Sequence, residues 1–446
     1  MDNGLPILFR SYTVVTPDAA AGVAVTEEAH VAVVGNRIEY IGTDLAAATQ
    51  ILGSGPHVEY AGRGKLLLPA FANAHGHTAM VLMRNAADDL NLHDWLFQVI
   101  FPMEKRLRRQ DVYNGSLLGI AQMIRSGTGA CADMYFHSDV TVEAAVTAGI
   151  RMNLCSEGKV SGPEPGSITV RPDMLEDFVR LCKSTGEGRI QPSLEIHSVY
   201  LYDEALYPAL AEMAKAAGIS IQTHLAETRK EVEDCVARYG RRPVEQMERF
   251  GIFEVPCLAA HAVYLDAQEM ELLSAKDVTL VHNPSSNMKL GSGVAPVCAQ
   301  LASGIPVALG TDGAASNNTL DIYREMRLAA FLAKGNALDA SALPAATVLR
   351  MATDTGMKAM GFADSGRIEA GAKADLQILD TGDLSLCPLG DPLSAIVYSA
   401  DSCAVESLMV DGRMLMHKRE LLTLDEERIR YEAARSARYI TGGTES

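Results

Sequence analysis

At 446 residues, with 48% hydrophobic and 6% aromatic content, the chain is too long for one small domain and has the apolar share of a globular protein with a large core. A net charge of -17 argues against a nucleic-acid polymer or an anionic membrane surface as partner, so the expected ligand is a small molecule. The eight cysteines (131, 155, 182, 235, 257, 298, 387 and 403) are nowhere closer than sixteen residues, which excludes a Cys-x-x-Cys pair and suits reduced thiols in a cytoplasmic protein.

Met1-Asp2-Asn3-Gly4 lacks a basic n-region, so no signal peptide is expected. The longest charge-free run, Leu290 to Thr311, is broken by Pro296, Pro306 and four glycines and cannot be a membrane span. Short strands are predicted at Ile7 to Val15, His30 to Val34 and Arg37 to Ile41, with Gly35-Asn36 as a hairpin turn. The same texture returns at Arg367-Ile368, Ala374 to Leu379, Ser407 to Val410 and Arg413 to Met416, with Asp411-Gly412 as a second turn. The two ends (1–65 and 366–424) are therefore expected to share one small β-sandwich domain. Residues 425–439 mix charges and alanines at helical spacing, which predicts a surface helix before a short tail, together 425–446.

Between 66 and 365 short apolar strands alternate with helical stretches. The apolar run from Leu66 enters His75-Gly76-His77, and further strands are predicted at Gly129 to Tyr135, Ile150 to Cys155, Ile190 to His197, Ile219 to His224, Cys257 to His261, Val278 to His282 and Val307 to Gly310. Intervening helices include Glu227 to Tyr239, closed by Gly240, and Leu320 to Lys334, closed by Gly335. Eight such units predict an α/β fold, a (β/α)8 barrel. An open doubly wound sheet is the alternative, but no glycine-rich loop follows the first strand.

In a catalytic barrel the reactive residues sit where strands end. Here histidines close strands one (His75 and His77), four (His197), five (His224), six (His261) and seven (His282), and Asp312 follows the eighth. His75 and His77 share one side of an extended segment because side chains alternate with period two, which would give one metal two ligands. Taken singly, each has a plainer reading: a wet loop for the histidine pair, a turn residue for Asp312 before Gly313.

Together with Thr223-His224-Leu225-Ala226-Glu227, Ala260-His261-Ala262, His282-Asn283-Pro284-Ser285-Ser286-Asn287 and Gly310-Thr311-Asp312-Gly313, these residues resemble the amidohydrolase superfamily, in its cytosine/adenosine deaminase and triazine hydrolase branch. Ala87-Asp88-Asp89-Leu90, Asp94-Trp95-Leu96, Asp133 to His137 and Gly313 to Asn318 are similar to the 5-methylthioadenosine/S-adenosylhomocysteine deaminases. The resemblance covers nearly the whole chain. It implies one divalent metal, Zn2+ with Fe2+ as the alternative, held by His75, His77, His224 and Asp312, a donor set that suits such ions. No lysine closes strand four, so a single metal is expected.

The resemblance further implies that hydroxide attacks the amino-bearing ring carbon while Glu227 protonates the adjacent nitrogen, that His261 hydrogen-bonds the hydroxide, and that Asp312 passes a proton to leaving ammonia. Glu227 has an alternative role at the N-terminus of the following helix, and His261 could instead be a metal ligand or a core group. His282 and Asn283 to Asn287 read mainly as turn chemistry under the site. Trp95 either stacks on a planar ring or fills core.

By the same resemblance Glu104 binds ribose hydroxyls, His197 contacts the purine and Ser316 lies near its ring. The expected activity is hydrolytic deamination, with ammonia released from C6 of adenosine, 5'-deoxyadenosine or 5'-methylthioadenosine. S-adenosylhomocysteine is expected to be poorer, because the arginine that its acceptors carry past strand three is replaced in Cys155-Ser156-Glu157; Arg151 remains the candidate cation for its carboxylate. Two rivals are a catalytically inert assembly and a hydrolase of another N-heterocycle, of s-triazine, pterin, guanine or cytosine type. A homo-oligomer is carried over as an expectation from relatives.

Overall fold

The computed structural model describes residues 4–20, 22–161 and 168–442; the expectations for the amino terminus and for the last residues of the tail lie outside this range. In chain order the strands are β1 (Ile7–Asp18), β2 (Gly22–Val34), β3 (Arg37–Gly42), β4 (Val58–Ala61), β5 (Lys65–Pro69), β6 (Phe71–Gly76), β7 (Thr128–Asp133), β8 (Arg151–Ser156), β9 (Lys159–Ser161) and β10 (Ile168–Val170). They continue with β11 (Ile190–Glu195), β12 (Ser220–Leu225), β13 (Cys257–His261), β14 (Val278–His282), β15 (Val307–Leu309), β16 (Leu376–Asp380), β17 (Val405–Val410), β18 (Arg413–His417) and β19 (Glu420–Leu421).

Strands β1 to β5 and β16 to β19 join in one nine-stranded sheet, so the two ends of the chain do meet. Its hairpins turn where positive φ is affordable, at Gly35 (φ 62) and at Asp411-Gly412 (φ 52 and 76). Arg367-Ile368 forms no strand; the Ile368 amide instead donates to Thr16 Oγ1 at 2.7 Å. Alternate residues of the sheet, among them Phe9, Val14, Val31, Leu67 and Ile378, bury into their own apolar core.

The other eight strands, β6 to β8 and β11 to β15, are parallel and form the barrel. The run from Leu66 to His75, read from sequence as one strand, is two. Leu66 to Pro69 pair with β16 in the terminal sheet, the Ala70 amide still reaches Asp375 O, and from Phe71 the amide turns to Gly127 O and the barrel begins. Pro69 has no N–H to hold either ladder, which makes it a natural point of exchange.

The seam between β15 and β6 is closed by a side chain: Asn73 Nδ2 donates to Thr311 Oγ1 (2.8 Å), Asn73 Oδ1 accepts the Thr311 amide (2.9 Å), and the Asp312 amide donates to His75 O (3.0 Å).

Two helix ends differ in detail. Arg229–Tyr239 ends at Gly240 in the left-handed region as expected, but Gly335 lies inside Ile322–Ala337, which stops at Leu338 (φ 51). The terminal helix Glu426–Ile440, capped by Asp425, buries Ile429, Ala433, Ser436 and Ile440, and Asn114 Nδ2 from the helix Arg109–Arg125 donates to Ser436 Oγ. Among the described residues no helix is long and apolar enough to cross a membrane.

Arg151 is placed far from the role considered for it. It opens β8 at the amino end of the barrel, where its guanidinium, 3% exposed, binds Asp375 (2.7 and 3.1 Å) and Asp411 (2.9 Å) of the terminal sheet. It is a tie between the two units, not a partner for substrate. Removing the shared cation of such a buried cluster leaves Asp375 uncompensated, so Arg151→Ala should lower unfolding free energy by about 3–5 kcal/mol. Arg10→Ala, at an exposed pair with Glu59, should cost less than ~1 kcal/mol. Urea unfolding of both variants checks the contrast.

Candidate active site

The carboxyl ends of the barrel strands gather four groups at one point. His77 Nε2 lies 3.3 Å from His224 Nε2 and 3.3 Å from Asp312 Oδ1, and His75 Nε2 lies 3.7 Å from the same oxygen. Backbone carbonyls of neighbouring strand ends set the tautomers: His77 Nδ1–H donates to Met134 O and His224 Nδ1–H to His197 O (2.8 Å). Each ring has thus committed its one neutral-form proton at Nδ1, so two lone pairs face each other across 3.3 Å. His75 Nε2 is buried without a hydrogen-bond partner.

Such a cluster needs positive charge. Burial holds His75 and His224 well below the ordinary imidazole range. His77, though burial opposes it, is drawn up to about 9 by Asp312, whose own carboxyl is held well below its usual range, against burial, with His77 as the chief cause. A divalent cation would meet that demand with neutral imidazoles: His75, His77 and Asp312 converge as one possible donor group and His75, His224 and His261 as another, so the expected set of His75, His77, His224 and Asp312 is compatible with the geometry.

The strands do not reach this geometry without strain. Ala226, His261, Ala262 and Asp312 all stand in the left-handed region (φ 46, 74, 47 and 62), each where a strand gives way to its loop. That conformation costs a non-glycine residue on the order of 1 kcal/mol, and such outliers gather at sites that must aim side chains.

Glu227 precedes Thr228, the cap of the helix Arg229–Tyr239, so it is outside the first turn. The helix is served instead by Glu231, which accepts the amides of Ala226 (2.9 Å) and Glu227 (2.7 Å). This leaves the Glu227 carboxyl facing the cavity, with Ser292 Oγ–H on Oε1 (3.2 Å) and His261 Nε2 at 3.9 Å from Oε2. Burial raises its pKa.

His261 Nδ1–H donates to Asn287 Oδ1 (2.8 Å), which leaves Nε2 for the site; it also clusters with His75 and His224 as a possible metal donor. Ser286 Oγ–H donates to Asp312 Oδ2 (2.6 Å). Asn283 to Asn287, read from sequence as turn chemistry, thus belong to a short helix, Pro284–Lys289, that orients two of the site's groups. The Ser-Ser-Asn run after His282 was the only sequence signal for this. His282 is itself buried and does not line the cavity.

A cavity of about 260 Å³ opens over the cluster. Trp95, Glu104 and His197 line it, as do Met80, Tyr135 and Leu290. Trp95 is 5% exposed in the π-helical turn Trp95–Ile100 that covers the barrel mouth. Burial pushes Glu104 up to about 7, with the Tyr135 hydroxyl opposing, and burial lowers His197 to about 4. Ser316 departs from its expected place: it does not line the cavity, because its hydroxyl turns back onto Gly313 O (3.0 Å) within the tight loop after Asp312. Glu157, Lys159, Glu195 and Tyr202 line the wall and were not anticipated as a group.

Imidazoles with their second protons pinned by backbone, converging with a carboxylate at the mouth of a parallel barrel, define a metal-dependent hydrolase. Residues 66–415 match the amidohydrolase family, and the chain belongs to it as a hydrolase of carbon–nitrogen bonds. It is 39% identical over 444 residues to a 5-methylthioadenosine/S-adenosylhomocysteine deaminase of Carboxydothermus hydrogenoformans, covering 99% of this chain and 100% of that protein. Identity to the protein of the same name from Acetivibrio thermocellus is 44% over 379 residues, 85% of this chain and 87% of the relative. Among solved structures, an adenosine deaminase from Xanthomonas campestris with bound zinc superposes with a TM-score of 0.91 at 33% identity, covering 98% and 99% of the two chains.

Removal of a first ligand should be visible as lost metal. His77→Ala and Asp312→Ala should each fall well below one metal per chain by elemental analysis after dialysis, with an unchanged far-ultraviolet circular dichroism spectrum; full metal retention in both would refute the ligand assignment.

Proposed function

We propose that this chain deaminates an adenosine-type nucleoside, replacing the C6 amino group of adenosine, 5'-deoxyadenosine or 5'-methylthioadenosine by oxygen and releasing ammonia. The observation that carries the reading is a carboxyl, Glu227, facing the histidine cluster from inside a cavity whose other end offers a second, half-buried carboxyl, Glu104. When bound, the metal supplies a hydroxide at neutral pH by lowering the pKa of water from ~15.7 toward ~7. Zinc is the metal in this reading: three imidazoles and a carboxylate suit it, and the Xanthomonas campestris deaminase carries zinc.

Glu227 gives its proton to the ring nitrogen beside the attacked carbon, which removes electron density from C6 as the new bond forms. Burial raises its pKa, which favours the protonated form this step needs, and Ser292 Oγ–H donates to Oε1. His261 accepts at Nε2 from the attacking oxygen, since Asn287 fixes its proton on Nδ1. Asp312 takes the proton released from water on the oxygen not engaged with the imidazoles and passes it to the departing amino group. Ser286 holds the carboxylate in that orientation. His197 contacts the purine, Trp95 covers it, and Glu104 accepts from the ribose hydroxyls.

The s-triazine and other heterocycle reading is not favoured, because relatives at 33–45% identity carry the names of adenosine-type deaminases. An inert assembly is disfavoured by a complete donor set held with fixed tautomers. Eight free thiols, three of them exposed, support a reducing compartment such as the cytoplasm.

Ammonia release from adenosine and 5'-methylthioadenosine, with the inosine counterpart as product, should exceed that from aminotriazines, pterins, guanine or cytosine. Glu227→Gln should keep its metal and lose roughly 10²–10⁴ in kcat. A loss below tenfold would return Glu227 to a purely structural role, and absence of turnover with every adenosine would overturn the substrate assignment.

A further inference from the structure

The far wall of the cavity carries more charge than the chemistry at the metal cluster uses. Lys159, at the start of β9, and Glu195, at the end of β11, form an ion pair (3.4 Å) with side chains only 9% and 10% exposed. Glu157 and Glu104 line the same cavity. Lys159 is thus shared by Glu195 and Glu157, with Glu104 a third carboxyl in the same cavity.

That lysine is already committed. An ammonium has three N–H donors. Lys159 directs two of them at Glu195 Oε1 (3.4 Å) and the backbone carbonyl of Glu157 (3.4 Å), and its Nζ lies 4.9 Å from the centre of the Tyr202 ring. Tyr202 Oη–H also donates to Glu195 Oε1 (2.9 Å), which fixes that carboxylate in turn. Apart from the third Lys159 N–H, the charged groups left on this wall are the carboxyls of Glu157 and Glu195. Burial, and then the neighbouring Glu195, push Glu157 up to about 7 against the pull of Lys159, as expected of a carboxyl short of positive charge.

The wall also lies where the rest of a nucleoside must go. A second cavity of about 360 Å³ shares Phe101, Glu104, Phe136 and Glu157 with the first and continues to Lys105, Leu107 and His137, which do not line the metal cavity. In the adenosine reading, with the ring at the metal cluster and the ribose at Glu104, the opening between Glu104 and Glu157 is the way out for a 5' substituent toward this outer space.

Resting on the adenosine reading above, we infer that Glu157, backed by the Lys159–Glu195 pair, is a specificity-determining residue that selects nucleosides uncharged or cationic at the 5' position and rejects a carboxylate there. A like charge placed beside a half-buried carboxylate is strongly disfavoured and an opposite one favoured. A long substituent that clears the wall would meet Lys105 instead, so the selection acts on the group borne directly at C5'.

The test compares two analogues on the zinc-loaded enzyme, on the alkaline side of the Glu157 titration. One is 5'-deoxy-5'-dimethylsulfonioadenosine, permanently cationic; the other is adenosine 5'-carboxylate. The kcat/KM ratio of cation to anion should be at least about 100-fold. Glu157→Gln should shrink that ratio by about tenfold or more, and Glu157→Arg should invert it; using the ratio within each variant cancels any general loss of activity. A wild-type ratio near one, or one that Glu157→Gln leaves unchanged, overturns the inference. An anion preference abolished in Lys159→Met would assign the wall to the lysine. Adenosine and 5'-methylthioadenosine are run alongside, so a failure of the adenosine reading shows as no turnover of either. The charge preference is then read from the Kd values of the same two analogues by calorimetry, and no binding of either would overturn it as well.

Discussion

Unshared lone pairs are the constraint on which the site depends. His77 and His224 face each other through Nε2 atoms that carry no proton in the neutral rings, beside a carboxylate at the floor of the cavity. A proton on His77, drawn up by Asp312, or a bound cation meets the demand for positive charge here, and the arrangement is imposed by backbone carbonyls rather than by the side chains' own preferences. Met134 O follows β7 and His197 O follows β11, so the tautomer of each imidazole reports the position of a neighbouring strand end. A shift of one residue in either strand would misplace a carbonyl and free the ring.

The rest of the barrel is arranged to hold that register. The seam between β15 and β6 rests on the Asn73 amide and on the bond from Asp312 N–H to His75 O, which ties two residues of the cluster together through their backbones. Four left-handed residues at the strand ends store strain. The amides of Ala262 and Val263 bond back to Leu225 O and Ala226 O, and so over-determine the turns that strain alone would relax. At the opposite face, Arg151 joins the barrel to the terminal sheet through two aspartates, so conserving geometry at the mouth and stability at the base are duties of different strand ends.

Much of this was readable because periodicity speaks directly to the backbone. The histidine spacing, the apolar runs with polar ends and the glycine-containing hairpin turns each carry their meaning within a few residues. Reading failed where a decision depends on a partner distant in sequence. Leu66 to Leu68 look like the start of a barrel strand, but β16, three hundred residues later, claims them. Arg151 looks like a free cation at a strand start, and only folding brings it Asp375 and Asp411. Ser316 sits in a motif beside a ligand, yet a local turn consumes its hydroxyl. Gly335 resembles a helix stop, but the helix runs on to Ala337.

What the sequence determined by itself is the chemistry on offer: an eight-unit barrel, two split end segments of one sheet, and histidines with an aspartate placed at strand ends, because residue type and spacing are local properties. Tertiary structure decided how that chemistry is used. It chose which nitrogen of each imidazole is free, turned Ser286 and Asn287 from turn formers into supports for Asp312 and His261, and enclosed Glu104, Glu157 and Glu195 in one cavity with a single committed lysine. These outcomes rest on hydrogen bonds and burial between segments from different strands, and neither exists until the barrel closes.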